Sequence, residues 1–152
     1  MTAPVLKKIL GEASSFLADD HGDSNLYDVL AALCKQGMPL TVRQATIATG
    51  VLISYVAQQD GVIGDLGLAV GTTGSAGATS VVANKNGTPL ATAPAAVDNT
   101  DADGTTRSVD LSGDPEAAFV AGDVIDIEVT AAPTAGANLD VTLHLRPVSI
   151  QP

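Results

Sequence analysis

A chain of 152 residues is long enough for one folded domain with an appendage and too short for two full domains. Hydrophobic residues make up 45% of it but aromatics only 3%, with no Trp, so a core has to be built from Val, Leu, Ile, Ala and Thr. The formal net charge of -10 repels phosphate backbones, and no nucleic-acid partner is expected.

The first twenty residues place Leu6, Ile9, Leu10, Ala13, Phe16 and Leu17 at the three-and-four spacing of one helical face. A helix this short needs a surface to lie on, either its own domain or another subunit. Its apolar run is broken by Gly11, Glu12 and Ser14–Ser15, so neither a secretion signal nor a membrane span is expected. Beyond the polar stretch Asp19–Asp23, Asn25 suits a helix cap and Asp28 the first turn. Leu26, Val29, Leu30, Leu33 and Cys34 then share a face, Lys35 sits in the last turn, and Gly37 and Pro39 stop the helix. Cys34 is the only cysteine, so no intrachain disulfide forms. It reads as a small packed hydrophobe of a protein assembled in a reducing cytoplasm.

Residues 40–60 turn β-branched, with Thr41, Val42, Thr46, Ile47, Val51, Ile53, Tyr55 and Val56 predicting extended structure and a strand near 51–58. Asp60–Gly61 is a turn signal, and the expected division places an N-terminal arm and helix at 1–60 and an acidic domain at 61–152. The acidity is concentrated in the second part, where eleven carboxylates face three basic residues.

After residue 61 the pattern is strand and turn. Leu66, Leu68 and Val70 alternate with Gly67 and Ala69, residues 71–77 are a Gly/Thr/Ser loop, and 78–84 form a strand ending at an Asn86–Gly87 hairpin turn. Strand signals weaken over 88–112. They return in Ile125, Ile127 and Val129 against Asp126, Glu128 and Thr130, then in Leu139, Val141, Leu143 and Leu145 against Asp140, Thr142, His144 and Arg146. The expected fold is mainly β, an antiparallel β-sandwich of jelly-roll type with a short helical N-terminal segment.

One run has metal-ligand spacing. Asn99, Asp101 and Asp103 fall at alternate positions before Gly104, with Asp110 further on, as in an oxygen-ligated calcium loop. It departs from that pattern by starting on Asn, ending on Asp in place of a bidentate Glu, and carrying Arg107 where a water-mediated ligand often stands. Acidic surface turns arise without any ion, so calcium is the one cofactor the residues leave open and none is required. The 71–77 loop lacks the Gly-Lys-Ser/Thr ending of a phosphate cradle. One Cys and two separated His supply no zinc set, and no serine has a nucleophile-elbow setting. Enzymatic activity is not expected.

The run Ile63–Thr79, followed by Val81–Val82 and Asn84-Lys-Asn-Gly-Thr88, resembles a β-sandwich module of tailed-phage virion proteins. Ala121–Thr130 and Asn138–Leu143 look like that module's last two strands. The resemblance covers a little over half the chain and implies a capsid decoration or cement protein, or a head fibre, on the exterior of a virion assembled in the host cytoplasm. It further implies a major capsid protein as partner and self-association, with a trimer favoured, and no membrane contact. Leu6, Ile9, Leu10, Phe16 and Leu17 are then the expected capsid contacts. The alternative it leaves is a receptor- or glycan-binding module of a head or tail fibre.

Overall fold

Strict alternation of apolar and polar side chains sends every second residue to one face, and here it organises most of the described residues. The computed structural model describes residues 37–90 and 94–147. Among these, ten strands are found: β1 (Met38–Thr46), β2 (Gly50–Val56), β3 (Gly61–Thr72), β4 (Ala78–Lys85), β5 (Thr88–Pro89), β6 (Ala95–Asp98), β7 (Thr105–Asp110), β8 (Ala118–Phe119), β9 (Val124–Ala131) and β10 (Ala137–Pro147). The helices expected before Gly37, and with them Leu6, Ile9, Leu10, Phe16 and Leu17, lie outside the described residues.

The strands make two five-stranded antiparallel sheets. The first runs β1-β10-β3-β7 with β8 also on β3, and the second runs β2-β9-β4-β5 with β6 also on β4. Each sheet is apolar on one face. Ile63, Leu66, Leu68, Val70, Leu139, Val141, Leu143 and Leu145 from the first join Val81, Ala83, Val97, Ile125, Ile127 and Val129 from the second in a single buried cluster. The molecule is thus mainly β with two antiparallel sheets, an arrangement compatible with a β-sandwich. Phe119 is the one aromatic in the buried cluster, as the composition requires, and aliphatic side chains fill the rest.

The compact unit extends from Gly37 to Val148, so β1 and β2 belong with the strands that follow residue 61. β1 pairs along its length with β10, and β2 with β9. The Asp60–Gly61 signal therefore marks a connection between strands of one unit, where the sequence pattern suggested a division. Residues 38–46 are a full strand although Pro39 reads as a helix stop. Pro39 stands opposite His144 on β1, which lies at the end of its sheet, where the missing N–H removes no ladder bond on the outer side. The hairpin at 86–87 has the expected left-handed backbone, with φ of 52° at Asn86 and 77° at Gly87.

Candidate functional site

The Asp-rich turn is built from hydrogen bonds that each engage a different donor. Asp101 Oδ2 accepts the Asp98 N–H at 2.9 Å and Asp101 Oδ1 accepts from Arg107 at 3.0 Å. Asp103 Oδ1 accepts the Thr73 N–H at 2.9 Å and its hydroxyl at 3.2 Å, stitching the turn to the loop after β3. Asn99 donates to the Ser75 carbonyl at 3.4 Å. Asp110, at the end of β7, accepts the hydroxyl and N–H of Ser112 at 2.6 and 2.9 Å, and these bonds hold its carboxyl below the usual carboxylate range. The side chains singled out for calcium are thus turned to separate protein partners. Among the described residues, no group of three or more His, Cys, Asp or Glu is placed to hold a metal ion. Arg107, which took a water-ligand position in the sequence pattern, instead closes the turn as an ion pair with Asp101.

The outer face of the first sheet carries a shallow groove of about 330 Å³, lined by Gly67, Ala69, Thr106, Ser108, Asp140 and Thr142 among others. Gly67 lies between Thr142 and Ser108 in register, and Ala69 between Asp140 and Thr106, so small residues floor a trough with hydroxyl walls. Beside it, Arg43 on β1 grips Asp140 on β10 through two bonds of 2.6 and 2.9 Å. Those bonds hold the Asp140 carboxyl below its ordinary range and raise the Arg43 guanidinium. Strand alternation predicted that Asp140 and Thr142 face outward; the partners on β1 and β7 depend on register, which the local pattern does not contain.

The electrostatics of the unit are one-sided. Its four basic residues each meet a carboxylate: Arg43–Asp140, Lys85–Glu116, Arg107–Asp101 and Arg146–Asp65, at 2.6 to 3.1 Å. What remains outside these pairs is anionic, since the same residues contain twelve carboxylates. Phosphate would meet a repulsive surface. Among the described residues no helix is long and apolar enough to cross a membrane.

Uncharged side chains are exposed along β2 and near β8. Val51, Val56 and Val120 are each at least half exposed, and Met38 somewhat less.

No known protein family matches the chain, and no curated protein matches it.

Proposed function

We propose that this chain is a structural virion protein, a decoration or cement protein bound to the outside of a tailed-phage head. The observation that carries the reading is strand order. With the two-residue β5 and β8 set aside, the remaining eight strands follow the order of a jelly roll, first-eighth-third-sixth in one sheet and second-seventh-fourth-fifth in the other. That architecture is one of those used by viral capsid domains, where two stacked sheets form a rigid block. The anionic surface supports an outward-facing role, because like-charged particles stay apart. The apolar residues of the N-terminal segment, Leu6, Ile9, Leu10, Phe16 and Leu17, supply the grip on the major capsid protein, each contributing about 1.5–3 kcal/mol of burial before ordering costs. Copies associate, as trimers, at symmetric positions on the shell. A receptor- or glycan-binding role is the second reading, favoured by the hydroxyl-lined groove over Gly67 and Ala69.

The test is co-sedimentation of the purified chain with capsids of the phage that encodes it. The wild type saturates the shell, and the double variant Phe16→Asp, Leu17→Asp stays in the supernatant while keeping its β-sheet circular dichroism. Saturation by the double variant rules out the N-terminal grip, and failure of the wild type to bind rules out decoration.

A further inference from the structure

The outer face of the second sheet holds a polar cluster that strand alternation alone does not reveal. Asn84 on β4 stands directly across from Asp126 on β9. Although Asn84 is on the face away from the aliphatic core, it is only 4% exposed. Its Nδ2 donates to Glu128 Oε2 at 2.7 Å, two residues along the same face of β9. This bond sets the orientation of the amide, because only the nitrogen end can face a carboxylate. The amide oxygen is left over. Both Asn84 Oδ1 and Asp126 Oδ1 are buried without a hydrogen-bond partner.

An orphaned amide oxygen and an orphaned carboxylate oxygen, with the Glu128 carboxylate beside them, make a specific demand. Every atom left to satisfy is an oxygen lone pair, so the missing group is a donor or a positive charge. Among the described residues no basic side chain supplies it, because Arg43, Lys85, Arg107 and Arg146 are paired with Asp140, Glu116, Asp101 and Asp65. A water molecule could donate to the two oxygens but would leave two neighbouring negative charges on one strand face uncompensated. A divalent cation meets both needs.

We propose that Asn84, Asp126 and Glu128 form a site for a hard divalent cation, calcium being the best match. The donor set is one amide oxygen and two carboxylates, the all-oxygen chemistry such ions select, with no imidazole or thiolate in it. The three side chains come from two strands about 4.8 Å apart, a spread that suits calcium's flexible, water-completed shell better than the strict octahedron of magnesium. A bound ion ties β4 to β9, the pair at the middle of the second sheet. The site is separate from the Asn99–Asp110 turn and independent of capsid binding.

The experiment uses the full chain stripped with chelator. Calorimetric titration with calcium chloride is expected to show one ion per chain, and scanning calorimetry a midpoint raised by about 5 °C at saturating ion. Asp126→Asn, nearly isosteric, folds and loses both responses, while the double variant Asp101→Asn, Asp103→Asn keeps them. If Asp126→Asn does not fold, Glu128→Gln, which retains an acceptor for Asn84, takes its place. A wild type that neither binds calcium nor shifts overturns the proposal. So does a response that survives at residue 126 or 128, or one that disappears with the turn variant.

Discussion

At the scale of single residues, Asp123 shows how much one half-buried carboxylate organises. Its Oδ1 accepts from Asn86 Nδ2 and its Oδ2 from the Val120 N–H, both at 2.9 Å, while Asn86 Oδ1 accepts the Val124 N–H at 2.9 Å. The hairpin after β4 is thereby locked to the turn that opens β9. These bonds, the Asn86 amide first and the Val120 N–H second, hold the Asp123 carboxyl below the ordinary carboxylate range. A depressed carboxylate binds protons more weakly folded than unfolded. Its stabilisation is therefore present above the unfolded value of about 4 and disappears as pH falls through the lower folded value. Asp123→Asn should lower the thermal midpoint near neutral pH, and the gap to wild type should close as pH drops from about 4 toward 2. Midpoints followed by circular dichroism across that range check it, and a pH-independent gap would contradict the linkage. The Asn86–Gly87 turn was readable from two adjacent residues. The Asp123 clamp was not, since its partner lies 37 positions away and local pattern carries no such information.

At the scale of elements, β3 shows two glycines serving opposite ends. A Cβ on Gly61 would come within 2.4 Å of the Phe119 ring and 2.7 Å of the Arg146 carbonyl oxygen, so the strand can approach its neighbours only without a side chain there. A Cβ on Gly67 would meet nothing nearer than 3.9 Å. Gly61→Ala should destabilise by about 1–3 kcal/mol through overpacking. Gly67→Ala should stabilise by about 0.5–1 kcal/mol through reduced backbone freedom. Urea unfolding of the two variants decides both signs, and equal effects would mean the crowding at Phe119 relaxes without cost. β9 and β10 were legible because hydrophobic alternation is uninterrupted in both, and each inward side chain of Ile125, Ile127, Val129, Leu139, Val141 and Leu143 is fully buried. β1 was harder to read. Its apolar residues Leu40 and Val42 are only partly buried, and Pro39 and Arg43 are the marks of an edge position rather than of a connection.

At the scale of the molecule, a mainly β character and two antiparallel sheets followed from composition and period, because a chain poor in aromatics and rich in β-branched residues has few other ways to bury its side chains. The extent of the unit did not follow. Its start at Gly37 depends on β1 and β2 finding β10 and β9 at the far end of the chain. The Asn84, Asp126 and Glu128 cluster was hidden for the same reason: two of its members could be assigned to an outer face, but their meeting with Asn84 is a property of register.

The position of the last two long strands also governs the order of events when the chain is made. β10 lies between β1 and β3, and β9 between β2 and β4, so one of the interior strands of each sheet is synthesised late. Thr41 and Thr142, whose hydroxyls meet at 3.3 Å, are 101 positions apart. A nascent chain that has emerged only as far as Asp123 holds β3 and β4 but lacks the strands on which β1 and β2 pair. Such non-local closure is slow, on the order of milliseconds to seconds, and it leaves strand edges open to wrong partners in the interval. A chain stopped after Asp123 should show no cooperative unfolding transition by circular dichroism, whereas the full chain should refold to one; a cooperative transition in the shortened chain would show that the first eight strands are self-sufficient. The waiting time before β9 and β10 arrive would set how much chaperone help each copy requires.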